Sequence, residues 1–422
     1  MMELVDTPRT YSSRRQQSWA IASIYLGNSL EWFDLVIFGY FASVFGKLFF
    51  PTDSQIASLS LAFATFGVTL LVRPLGAIVL GAYSDRNGRK AGLVLSTALM
   101  TIGTAGIAML PTYGSLGPWA PLLLVVARTI QGFSAGGEYG SVTTFLAEYS
   151  PSRRGFFSSL QFSSQGFTAL LAACFGVLLT STLSAPDLES WGWRVPFFFG
   201  VVIGPVAYFI RLYAIETPEF RHAASPIKEF TANGKKRAVV SAAIVTLGTV
   251  VTYTIVFLPS YASIYLGYSA YSGFLGGLTT AIVLILVAPL AGAISDRIGR
   301  LITITPPAVI LLAISYPAFS WLAAAPTLER LLIVQFLIGI LAAWYLGVLP
   351  SLMSELFPST YRSTGLSVSY AVGVTAFGGF APLIITSLIE VTGSKLALSF
   401  YLIFAAAISL IGLSETRRMG IR

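Results

Sequence analysis

The chain has 422 residues, 55% of them hydrophobic and only 10% charged, against roughly 25% charged in an ordinary soluble domain. Too little polar sequence remains to coat that much Leu, Ile, Val and Phe in water, so a string of soluble domains is excluded and lipid is the solvent. A formal charge of +8 leaves an excess of bases to be placed, while a single cysteine (Cys174) and a single histidine (His222) exclude an intramolecular disulfide and a His/Cys metal cluster; no cofactor or metal is implied.

Residues 1–18 are polar and carry Arg9, Arg14 and Arg15. The apolar run from Trp19 is too long for a signal-peptide core and lacks a small-residue cleavage site, so it reads as a retained helix. At about 20 apolar residues per crossing, spans fall at 19–46, 56–81, 91–110, 119–143, 155–180, 194–213, 238–262, 269–294, 301–323, 330–350, 364–390 and 396–413. Each run is too long for a barrel strand of about ten residues, which makes this an all-α membrane protein of twelve helices.

Charge placement orients the spans. The N-terminus, the even-numbered loops and the tail carry 20 of the 26 Lys and Arg. Only Lys47, Arg194, Arg330 and Lys395 fall on the other side, and only Arg73 and Arg128 inside spans. The positive-inside rule then puts both termini in the cytoplasm and turns the excess charge into orientation charge, so nucleic acid is not a partner.

The chain repeats itself. Gly81, Asp85, Arg86, Gly88 and Arg89 recur as Gly292, Asp296, Arg297, Gly299 and Arg300 at a constant offset of 211, and Glu148 and Pro151 recur as Glu355 and Pro358 at 207. The expected layout is an N-terminal six-helix bundle over 1–213, a polar cytoplasmic linker over 214–237 and a C-terminal six-helix bundle over 238–422. Two pseudo-symmetric halves with a site between them is a transporter layout.

Glu31, Asp34 and Glu138 are the only acids deep in spans, with Arg73 and Arg128 the only bases; each is costly in lipid and needs a partner or a wet cavity. Asn28, Glu31 and Asp34 follow at three-residue steps and read as one stripe of span one. Arg128, Gln131, Ala135 and Glu138 step by 3, 4 and 3 on span four, and span five adds Gln161, Ser164, Gln165 and Thr168. With all three acids ionised, this set carries one net negative charge and repels an anion. With two protonated it carries one net positive charge and attracts one, so protonation would create the site for an anionic solute.

Gly81 to Lys90 resembles the loop signature between spans two and three of the major facilitator superfamily. The second copy departs from it, with Leu301 where a basic residue is expected, and is read as the weaker contact. Gly27-Asn28-Ser-Leu-Glu31-Trp32-Phe33-Asp34, Arg73-Pro74-Leu-Gly76 and Arg128-Thr-Ile-Gln131-Gly132-Phe-Ser-Ala-Gly136-Gly137-Glu138 resemble motifs of its metabolite:proton symporters. Trp119-Ala-Pro121, Gln161 to Gln165 and Phe377 to Pro382 are most similar to citrate and tricarballylate symporters.

The resemblance implies a carrier and no enzyme, with a small-molecule carboxylate and protons as partners, lipid around it, a monomer, and residence in a bacterial inner membrane. Asp34, Glu31 and Glu138 are the expected proton-coupling acids and Arg73 a coupling ion-pair residue. Asn28, Arg128, Gln131, Gln161, Gln165, Tyr253, Tyr345 and Tyr370 are the expected substrate contacts, Arg128 being the carboxylate clamp. Asp85, Arg89, Glu148, Arg154, Asp296, Arg300, Glu355 and Arg362 form the expected cytoplasmic gate. A symporter for a shikimate-, oxoglutarate- or proline/betaine-like solute, or a sensor or channel on the same fold, is the alternative.

Overall fold

The computed structural model describes residues 14–87, 89–213, 230, 234–358 and 361–421; the side chains of Asp85, Arg89 and Glu138, and the linker positions 214–229 with His222, lie outside the described residues. Among the described residues the helices follow the twelve expected positions in order. Unbroken spans are Arg89–Met109 (three), Arg154–Thr182 (five), Val195–Tyr213 (six), Lys235–Tyr265 (seven), Ala270–Ile298 (eight), Arg300–Ala324 (nine), Leu328–Leu356 (ten) and Ala397–Arg418 (twelve). Span seven begins at Lys235, three residues before the expected boundary, because Lys235, Lys236 and Arg237 extend the helix past its apolar part.

The other four spans depart from a regular α-helix, span one by a bend and spans two, four and eleven by local irregularities, that of span eleven at the glycine-containing run 373–379. Span one bends by 64° between Ile24–Tyr40 and Ala42–Phe49. Span two is interrupted at Val72, between Gln55–Leu71 and Arg73–Asn87, one residue before the helical start that Pro74 favours. Span four runs Trp119–Ser134, a 3-10 turn over Ala135–Gly137 and Glu138–Tyr149. Span eleven runs Arg362–Gly373, a π-helical stretch over Val374–Gly378 and Ala381–Thr392. Val72 itself keeps the helical bonds to the Val68 carbonyl and from the Gly76 N–H, both at 3.2 Å; where an irregularity does loosen the ladder, it sits in lipid only where protein surrounds it.

The halves meet along one seam, made close by small residues. Gly155 and Gly292 stand so near that a Cβ on either would meet the other's carbonyl, and Gly166 packs on Leu284 and Ile285. In lipid such close approach supplies dispersion contact that apolar side chains alone do not. At the end carrying the linker, ion pairs cross the seam. At the opposite end Ser60 of span two donates to Thr386 of span eleven at 3.3 Å, and Phe63 packs on Phe257 at 5.2 Å. The bundles therefore touch at both ends.

Candidate functional site

In the first half the buried polar residues make a relay. Arg128 is 0% exposed; its Nη1 donates to Gln131 Oε1 at 2.8 Å, Gln131 Nε2 donates to Thr104 Oγ1 at 3.0 Å, and Thr104 donates to Asp34 Oδ2. Arg128 also reaches the Asp34 carbonyl at 3.4 Å. Its guanidinium lies 4.2 Å from the Phe38 ring centroid and 5.9 Å from that of Phe66, so aromatic faces replace part of the lost hydration. Arg128 Nε and Nη2 and Asp34 Oδ1 find no hydrogen-bond partner among the described residues. Cation and acid are thus joined through Gln131 and Thr104. The arrangement can respond to a proton on Asp34 without a direct pair having to break.

Thr104 was missed in the sequence. It is one of four hydroxyl residues of span three, and Thr97, Thr101 and Thr104 step by 4 and 3 along one face, a spacing that could have pointed to it; the packing of span three against spans one and four then gives it a role. The expected stripe on span one also divides. Asn28 turns to span five, donating to Ser164 Oγ at 2.7 Å and to the Gln161 carbonyl at 3.2 Å, while Asp34 turns to span three. Two three-residue steps rotate a helix by about 120° off a common line, enough to give the ends of the stripe different neighbours.

Gln161 Oε1 accepts from Thr143 at 2.5 Å, while Gln161 Nε2 and both side-chain polar atoms of Gln165 are buried and have no partner among the described residues. Tyr253 and Tyr370 lie at the seam. Tyr253 packs on Phe66 at 5.6 Å, and Tyr370 stacks flat on Tyr139 with ring centroids 3.3 Å apart. Tyr345 is not brought to them: its hydroxyl donates to the Ile244 carbonyl at 2.8 Å, inside the second bundle. Arg73, expected as an ion-pair residue, stands with its guanidinium 5.0 Å from the Trp32 ring centroid. Glu31 is half-buried on the same span as Trp32.

Six of the expected gate residues join in ion pairs with one another, while the side chains of Asp85 and Arg89 lie outside the described residues. Arg300 of span nine contacts Asp296 at 2.8 Å and Glu355 at 3.1 Å, Arg154 of span five reaches Glu355 at 3.8 Å, and Arg362 of span eleven holds Glu148 of span four at 2.9 Å. Asp296 accepts from the backbone N–H groups of Gly155 and Phe156 at 2.7 and 3.0 Å. A carboxylate of the second half thus satisfies two of the free donors at the start of span five in the first. Among the described residues, the second motif copy brings Asp296 and Arg300 into this network although Leu301 departs from the signature. Its Arg300 supplies the base that position 301 lacks.

Twelve spans in two bundles, a buried charge relay and charged contacts across one end define a membrane carrier that exposes a central site to alternate sides. The chain belongs to the major facilitator superfamily, in its metabolite:proton symporter family. A family model described as "Sugar (and other) transporter" matches residues 20–229. The citrate-proton symporter of Klebsiella pneumoniae is 39% identical over 93% of this chain and 90% of its own. The alpha-ketoglutarate permease of Escherichia coli (strain K12) is 32% identical over 96% and 95%, and the proline/betaine transporter of the same strain 32% identical over 93% and 82%. A crystal structure of a D-xylose-proton symporter superposes with a TM-score of 0.75 over 94% of this chain and 97% of that one, at 19% identity. The chain is an integral membrane transporter. It is no enzyme, and alternating access comes with the fold.

Proposed function

We propose that the protein imports a tri- or dicarboxylate such as citrate or tricarballylate together with protons, as a monomer in a bacterial inner membrane with both termini in the cytoplasm. The observation that carries the reading is the relay from Arg128 through Gln131 and Thr104 to Asp34, which links a fixed cation to a titratable acid inside the first half. Two relatives named as citrate-proton symporters, at 39% and 36% identity, support citrate as the kind of cargo.

In this reading Asp34 is charged in the empty carrier and holds Arg128 through the relay. Protonation of Asp34, with Glu31 and Glu138 as further proton sites, removes that claim and frees the guanidinium fork to take a carboxylate in two parallel hydrogen bonds. Gln161 and Gln165, whose side-chain amides have N–H groups without a partner among the described residues, complete the wall with neutral donors, while Asn28 spends both of its own on span five and holds it in place. The network of Glu148, Arg154, Asp296, Arg300, Glu355 and Arg362, with Asp85 and Arg89, closes the cytoplasmic end while the site faces outward. The excess of Lys and Arg in the loops on that side supports the orientation.

The test is uptake into proteoliposomes of purified protein, with an inward proton gradient, over citrate, tricarballylate, alpha-ketoglutarate, shikimate, proline and glycine betaine. Accumulation of a tri- or dicarboxylate that collapses with a protonophore is expected. Accumulation of proline or betaine instead would replace the reading, and absence of substrate counterflow would point to a channel or sensor.

A further inference from the structure

We infer that a charge-free latch holds the two halves together at the linker end: the rings of Tyr139 in span four and Tyr370 in span eleven, stacked across the seam between Arg128 and the ion pairs. The inference rests on alternating access and on no particular cargo.

Three observations carry it. The half-helices Glu138–Tyr149 and Arg362–Gly373 belong to opposite halves and pack on one another. Two contacts join them, the Glu148–Arg362 ion pair at 2.9 Å and the Tyr139–Tyr370 stack, whose ring centroids lie 3.3 Å apart with planes 5° from parallel. Tyr139 stands nine residues before Glu148 and Tyr370 eight after Arg362, about 13 and 12 Å of helix, so both contacts fit one antiparallel register. Followed one turn further, that register sets the 3-10 turn Ala135–Gly137 opposite the start of the π-helical stretch Val374–Gly378. Each half-helix thus ends, at the same depth, where a departure from α geometry gives it a place to flex.

The depth suits the chemistry. Glu148 is exposed, and an ion pair there opens into water, whereas Tyr370 is buried. Charges at the depth of Tyr370 would have to regain and shed hydration in every cycle. Two rings part and rejoin without that cost. Full face-to-face overlap is not the edge-on or offset arrangement that free rings prefer, so the helices set it, and the stack forms in only one position of the two halves. Tyr370, expected as a substrate contact, has one ring face covered by Tyr139 in this position.

Cysteine labelling of the full-length protein in membrane vesicles tests it. In a Cys174→Ser, Ser163→Cys background the reporter lies at the seam, where the Ser163 hydroxyl donates to the Ile285 carbonyl at 3.1 Å. A membrane-impermeant maleimide applied from the linker side then reads how often this end opens. Tyr139→Ala should raise the labelling rate about three- to tenfold, the weight of one aromatic pair, and should do so equally when Glu148→Gln is present. Tyr139→Phe keeps the ring and should stay below threefold. Labelling from the opposite side should not rise, since general loosening of the fold would raise both. A change below threefold in Tyr139→Ala, a rise of threefold or more in Tyr139→Phe, an equal rise from both sides, or an effect that vanishes with Glu148→Gln would each overturn the inference. Melting temperatures are measured alongside; if Tyr139→Ala loses its melting transition, Tyr370→Leu decides by the same criteria.

Discussion

The Asp296 carboxylate accepts the Gly155 backbone N–H at 2.7 Å, so a residue at the end of span eight in the second half caps a helix of the first. The contact crosses from one half to the other. It exists only while the two halves are closed at the linker end, and it is reinforced there by Arg300, 2.8 Å from the same carboxylate oxygen.

Asp296→Asn keeps the shape and removes the charge. A hydrogen bond to a charged group contributes about 1.5–3 kcal/mol, so the closed state at this end should lose on the order of tenfold or more in population. Turnover in substrate counterflow should fall while the substrate Kd stays within about twofold, because the change acts on the balance of states and not on the site. A large loss of binding would place Asp296 in the site instead.

Gly292→Ala is a steric version of the same test. Its methyl group would meet the Gly155 carbonyl and the Ser159 side chain across the seam, and backbone on one side cannot yield cheaply. The variant should favour the state open at the linker end. In a Cys174→Ser background, a cysteine placed at Ser163, whose hydroxyl donates across the seam to the Ile285 carbonyl at 3.1 Å, should be labelled faster from the cytoplasmic side than in the Gly292 parent. Equal labelling rates would show that the seam absorbs the methyl group.

Asp34→Asn should abolish accumulation against a gradient and leave exchange of bound substrate partly intact. The amide can still accept from Thr104, yet cannot release a proton. Accumulation at the wild-type rate would transfer the coupling role to Glu31 or Glu138.

Arg128→Lys should weaken carboxylate binding about ten- to a hundredfold. A lysine offers a point charge in place of the fork, and it cannot keep the Gln131 contact at 2.8 Å while also turning toward a ligand. Thr104→Val, which breaks the relay without touching either charge, should alter the pH dependence of uptake more than the affinity at saturating protons. An unchanged pH profile in Thr104→Val would make the relay a packing feature.

What the sequence by itself determined is what lipid and local chain geometry dictate. Apolar runs of crossing length become helices because the backbone has no other partner in hydrocarbon, and the repeats at 211 and 207 announced two like halves. The buried charges of spans one, two and four stood out because each is costly in an apolar run. The charges proposed as the gate were visible for the same reason in reverse, concentrated at helix ends in matching places.

Only the tertiary structure decided who meets whom. Asn28 and Asp34 share a helix but not a neighbour, Thr104 enters the relay, Tyr345 is spent on the Ile244 carbonyl, and Asp296 binds the first half despite Leu301. The irregularities at Val72 and Ala135–Gly137 also escaped the apolar pattern, whereas that at Val374–Gly378 falls in a run whose glycines marked it. The physical reason is common to all of them. Hydropathy reports that a helix is in lipid, whereas its rotation and its kinks are set by close packing of small residues against other helices far away in the chain, a property of pairs of surfaces that no single segment carries.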